Sequence, residues 1–211
     1  MLQNLIEYYM TNGAMVVEQF IRHLLISVYG VLFAALIFIP LGFYLARKRV
    51  LGNVFIQLAN MIQTIPSLAT ISILMILVGI GPNTVVLCVF LYSILPILKN
   101  TMTAVQNVDE NLLDVAKGMG MTQMQIRLKV EFPLALSIIL GGLRNALVLA
   151  IGITAIGTFI GAGGLGDIIS RGINVSRGQH IIWAGALPTI LMAFGVDVLL
   201  AQIEKRFAFY K

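Results

Sequence analysis

Arg144 and Asp197 are ionisable side chains set well inside long apolar runs. An unpaired charge in lipid costs at least ~2.5–3.5 kcal/mol, so each needs a partner. Arg144 lies about eleven residues past Pro133, or ~16 Å along a helix rising 1.5 Å per residue. Asp197 sits at a similar depth in a run of opposite direction, so an Arg144–Asp197 ion pair is the economical expectation. The alternative is that each snorkels to the nearer surface, which a short aspartate does poorly. Asn60, Gln63, Thr64 and Ser67 follow i, i+3, i+4, i+7 and make one polar stripe on an apolar helix. Lipid will not face that stripe; it meets a neighbouring helix or lines a solute translocation path. Pro66 lies within it and should kink the helix or free a carbonyl there.

Residues 161–166, GAGGLG, match G-x-G-x-x-G. A phosphate loop is excluded by context, because the motif follows an apolar span rather than a strand and no Walker lysine follows. Gly161, Gly163, Gly164 and Gly166 instead suit a flexible turn. Asp167 and Arg171 are four apart, so they can pair across one helical turn. The glycine-rich loop 161–178 is then an extracellular gate or a tight connection. His23 and His180 lie near span ends with no second ligand at metal spacing, and both read as interfacial. The sequence gives no catalytic set and no metal site.

The elements that position these groups are membrane helices. The chain is 59% hydrophobic and 11% charged, a membrane composition. An all-α integral membrane protein is expected, with about five spans: 23–46, 56–79, 83–99, 134–160 and 179–201. Each is near the ~20 residues that cross the hydrocarbon core. Residues 1–211 read as one transmembrane domain, with no soluble domain to hold a nucleotide. The start lacks a basic region and a small-residue cleavage site, so no signal peptide is expected. Leu2, Leu5, Ile6 and Tyr9 share a face, and residues 2–10 are expected along the interface. Cys88 is alone within a span, so no internal disulfide is available. The net charge is +5. Arg47, Lys48, Arg49, Lys99, Lys117, Arg127, Lys129, Lys205, Arg206 and Lys211 fall on one side of alternating spans, and Arg22, Arg171 and Arg177 on the other. The positive-inside rule therefore puts the N-terminus outside and the C-terminus in the cytoplasm. Topology accounts for the basic balance without nucleic acid.

Residues 101–133 differ from everything around them. They read as two short amphipathic helices in the cytoplasm. Val108, Leu112, Val115 and Met119 make an apolar stripe. Asn107 with Glu110 suggests a capping pair, and Gly118 and Gly120 end that helix. Thr122 and Gln125 form a capping box, Met121 and Ile126 a hydrophobic staple, and Pro133 is expected to close the second helix.

Asp114-Val115-Ala116, then Gly120, then Val130-Glu131-Phe132-Pro133 resembles the EAA loop of binding-protein-dependent ABC importer permeases. That loop reads E-A-A, three residues, G, nine residues, I-x-L-P. Asp114 stands for Glu, Val115 for the first Ala, and Val130 and Phe132 for the aliphatic pair. QTIPSLA at 63–69, LYSILPILKNTMTAV at 91–105 and AIGITAIGTFIGAGGLGDII at 150–169 are similar to the Opu-type osmoprotectant permeases, and SVYGVLFAALIFIPLGFYLARKR to the OpuC type that works as one of an unlike pair. The resemblance implies a type I importer fold in the cell membrane. It implies a substrate among glycine betaine, carnitine and choline, with Asp114, Val115, Ala116, Gly120, Val130 and Pro133 at the ATPase-coupling site. It also implies partners: cytoplasmic ABC ATPase subunits carrying ATP and Mg, a second permease, unlike or identical, and an extracellular substrate-binding protein. This chain itself would hold no cofactor and be no enzyme. Other readings are a secondary transporter or channel, an importer permease for another small solute such as an amino acid, or an accessory membrane subunit.

Overall fold

The structure, a computed structural model, describes residues 1–207 and contains helices but no strand among them. The nine α-helices are α1 (Leu2–Leu45), α2 (Arg49–Thr64), α3 (Ser67–Val78), α4 (Pro82–Gln106), α5 (Glu110–Gly118), α6 (Gln123–Ile126), α7 (Phe132–Ile156), α8 (Leu165–Asn174) and α9 (Gln179–Phe207). A π-helical turn, Arg127–Glu131, joins α6 to α7, and a 3-10 turn, Gly157–Ile160, follows α7. Four stretches are long and apolar enough to span a membrane, and five if α2 and α3 count as one bent span. Helix α7 packs against α1, α4 and α9, while α2 and α3 lie on α4 and α8 lies on α9. Ile26, Val31, Ala34, Val85, Cys88, Val89, Ala146 and Ala150 form the central core. Small residues let these helices approach. A Cβ on Gly30 would stand 2.4 Å from Val89 Cγ1, and one on Gly142 would stand 2.8 Å from the Pro96 carbonyl oxygen.

Several sequence expectations are corrected. Residues 2–10 are not a separate interfacial segment, because α1 runs unbroken for 44 residues. At 1.5 Å per residue it is about 66 Å long, well beyond the ~30 Å hydrocarbon core, so part of it stands outside or it tilts. Of the apolar face read there, Leu2 and Ile6 are exposed while Leu5 and Tyr9 pack on protein. Leu5, Tyr8 and Tyr9 join the cluster of Val16, Ile168 and Ala184. The Tyr9 hydroxyl donates to the Ala184 carbonyl at 3.2 Å.

The third span does not end at 99. Helix α4 continues to Gln106, and Asn107 closes it rather than opening the next helix. The N-cap of α5 is Asp109, whose carboxylate accepts from the Asn111 amide at 2.9 Å. Pro133 does not close a helix either. A proline lacks an N–H and clashes with the carbonyl four residues back. The wider π turn just before it accommodates that defect, and the helix runs on into the span.

The second span breaks rather than kinks. Helices α2 and α3 meet at 96° across Ile65–Pro66. Ser67 therefore opens α3 and cannot continue the stripe of Asn60, Gln63 and Thr64 on α2. A break at membrane depth frees backbone groups that lipid cannot satisfy. Tyr92 on α4 meets them: its hydroxyl donates to the Ile65 carbonyl and lies 3.1 Å from Thr70 Oγ1. Its own carbonyl accepts from Gln63 Nε2 at 2.9 Å. Tyr92→Phe should leave the Ile65 carbonyl unpaired at a cost of about 1–3 kcal/mol. Thermal unfolding in lipid nanodiscs checks this. A destabilised protein is expected, and an unchanged midpoint would mean that the hydroxyl does not hold the break.

Candidate functional site

The amphipathic segment is built by local rules. Helix α5 ends in a Schellman motif: the Met121 amide donates to the Ala116 carbonyl at 3.1 Å and the Gly120 amide to Lys117 at 2.9 Å. That motif needs a left-handed residue, and Gly120 supplies φ +78°. The Thr122–Gln125 capping box then opens α6, with Gln125 N–H to Thr122 Oγ1 at 3.3 Å and Thr122 N–H to Gln125 Oε1 at 2.8 Å. Ala116 and Val108 face inwards and are buried. Leu112, Val115 and Met119 face outwards at 47%, 62% and 77% exposure. Asp114 is exposed beside them and pairs with Lys117 at 2.8 Å. Val130 and Pro133 are half-buried where the segment enters α7. The result is a capped helix that shows an apolar face with one acid to its surroundings.

A cleft of about 690 Å³ opens on the side of the helix bundle. Gln63, Asn100, Asn145 and Asp197 are among its polar lining, with Lys99 and Thr103. Of the sequence stripe, only Gln63 reaches it. Asn60 and Thr64 are exposed, Thr64 bonding back to its own helix at Met61, and Ser67 is half-buried on α3. Asp197 borders the cleft and lies 3.3 Å from Arg144 Nε. Arg144 also reaches Glu204, with Nη1 3.3 Å from Oε2. Glu204 escaped the sequence reading because the last span was ended at 201. Its signal was available: it lies seven residues after Asp197, two turns along the same face of α9.

The glycine loop forms a turn and a ten-residue helix, α8. Gly161, Gly163 and Gly164 have φ of +69°, +74° and +86°. The loop is pinned rather than loose. Gly164 N–H donates to Gln19 Oε1 at 2.6 Å, and Leu165 N–H to His23 Nδ1 at 3.2 Å. His23 Nε2 therefore carries the proton and donates to the Ile151 carbonyl at 2.9 Å. The interfacial reading of His23 is corrected: it is fully buried and ties α1, α7 and α8 together. The first amides of α8 are thus already occupied. Gly166 is held by close approach, since a Cβ there would sit 2.1 Å from the Ala155 carbonyl oxygen. Asp167 and Arg171 pair at 2.8 Å on α8.

The Arg144 cluster yields a stability order. Asp197→Asn leaves Arg144 its contact with Glu204, whereas Arg144→Gln leaves two acids without their shared cation. Breaking a buried pair costs ~3–5 kcal/mol and an exposed one ~0.2–1. Arg144 is about one-third exposed, at 31%, so its loss should fall between those limits and exceed that of Asp197. Unfolding midpoints in nanodiscs give the order, and equal losses would contradict the shared geometry.

Comparison with known proteins fits this geometry. Residues 38–209 match the family described as binding-protein-dependent transport system inner membrane component. The carnitine transport permease protein OpuCD of Listeria monocytogenes is 60% identical over 204 residues, covering 97% of this chain and 92% of that protein. The glycine betaine/carnitine/choline transport system permease protein OpuCD of Bacillus subtilis is 54% identical over 204 residues, covering 97% of this chain and 89% of that protein. An inward-facing structure of the MetNI methionine ABC transporter shares the fold, with TM-score 0.79 and 21% identity over 91% of this chain and 95% of that one. The capped amphipathic segment, the bent second span and these matches together make this chain a member of the binding-protein-dependent transport system inner membrane component family, with the type I ABC permease fold.

Proposed function

We propose that this chain is the permease subunit of an ATP-driven importer of quaternary ammonium osmoprotectants: glycine betaine, carnitine and choline. The substrate class rests on the relatives named for those solutes. The observation that carries the coupling role is the outward face of α5. Leu112, Val115 and Met119 are large, apolar and exposed beside Asp114, on a helix with rigid ends. A cytoplasmic ATPase that covers this face can move α5 as a rigid body. ATP and Mg belong to that partner, and this chain hydrolyses nothing.

The remaining parts fit one cycle. The N-terminus lies outside and the C-terminus with α5 in the cytoplasm, as the basic residues require. The cleft beside Gln63, Asn145 and Asp197 is half of a solute path, and a second permease, unlike this one, completes it across a pseudo-two-fold axis. The glycine loop and α8 form the outer gate, near the docked substrate-binding protein. Because Gln19 and His23 hold the start of α8, this gate moves with α1 rather than as a free flap.

Val115→Asp places a charge in the apolar face without touching the core. It should lower recovery of the ATPase with the purified permease by at least about tenfold, or ~1.4 kcal/mol. Membrane insertion should be unchanged. Recovery of the ATPase at the normal level would remove α5 from the docking surface.

A further inference from the structure

Glu131 is a carboxylate with 2% side-chain exposure, set inside the π turn that joins α6 to α7. One oxygen accepts from Arg47 Nη2; the other is buried and has no partner among the described residues. Arg47 lies in the short turn between α1 and α2. Next to it the Ala46 carbonyl accepts from Gln106 Nε2, at the end of α4, at 3.1 Å. Three elements therefore meet at one polar junction: the end of α1, the end of α4 and the segment that carries α5. A crevice of about 220 Å³ lies there, bordered by Arg47, Gln106, Val108, Leu113 and Glu131. Only the acid is enclosed, since Arg47 is 40% exposed, but burying the Glu131 carboxylate is still an expensive way to fill such a place. With one oxygen left unpaired, the carboxylate is a weak source of stability, and its directional contact with Arg47 is better suited to holding two elements in register.

Packing supplies one. Helix α5 rests on α6 and on the π turn rather than mainly on the spans. A push on α5 therefore reaches the membrane by two routes. One runs along the chain through the π turn into α7. The other leaves the π turn sideways, through Glu131 to Arg47 and the end of α1. Near the second route, the Phe43 and Phe132 rings lie 6.0 Å apart, an apolar contact that can slide. The charge pair is directional and cannot slide without breaking. A π turn is also an adjustable register, often found where a helix must work rather than merely span.

We propose that the Arg47–Glu131 pair is a coupling strut. It positions the α1–α2 turn against the α5 segment, so that α1, with the α8 start bound near its middle at Gln19 and His23, moves together with α7. Both are positioning residues, and neither touches solute or nucleotide. This rests on the reading of α5 as the ATPase contact.

The test uses the full importer reconstituted in proteoliposomes, with its ATPase, second permease and binding protein. The variant is the double change Arg47→Met/Glu131→Met, which fills the junction without charge. The readout is solute imported per ATP hydrolysed. The complex should assemble and hydrolyse ATP at its basal rate, while solute per ATP falls at least about fivefold, the low end of ordinary coupling energies. Arg47→Lys, which keeps the pair, should retain most of the wild-type ratio. If the double variant fails to assemble, Glu131→Gln, which keeps the shape and loses the charge, is read the same way. A normal ratio in the variant that assembles overturns the strut. A wild-type complex that imports nothing overturns the importer reading instead.

Discussion

Backbone groups at membrane depth must find partners within the protein, and this chain is organised around the places where its helices cannot supply them. There are three such places. Pro66 stops α2 at a 96° bend, and Tyr92 on α4 takes the freed carbonyl. The start of α8 exposes its first amides, and Gln19 and His23 on α1 accept from them. Pro133 interrupts the ladder entering α7, and a π turn absorbs the lost bond. Each repair comes from, or lies against, a different helix. The repairs therefore fix which helices travel together, and a permease that switches its openings depends on that grouping.

Periodicity made the helices and the segment at 101–133 legible in the sequence, because apolar runs and capping residues act locally. The Thr122–Gln125 box and the turn at Gly120 were readable for the same reason. Partners far apart in the chain were not. Tyr92 carried no sequence signal and His23 read as interfacial until the fold brought Ile65, Leu165 and Ile151 to them. The polar stripe failed because a 3.6-residue period assumes an unbroken helix, and Pro66 breaks it before Ser67. Glu204 was lost to a span boundary placed three residues too early. Residues 208–211, with Lys211, lie outside the described residues.

The functional parts follow the same division. The face proposed for the ATPase is exposed and apolar, on α5. The groups proposed for the solute path line an open cleft, with Asp197 beside Arg144. Between them stands the junction of Arg47, Gln106 and Glu131. A work-transmitting protein needs a docking face, a rigid link and a path.

Uptake of radiolabelled carnitine into proteoliposomes tests the central claim most directly. The vesicles carry this chain with its second permease, its ATPase and its binding protein, and ATP is present or absent on the ATPase side. Accumulation against a gradient that requires both ATP and the binding protein is predicted. Accumulation that persists without ATP and follows an ion gradient instead would contradict the account and make the chain part of a secondary transporter.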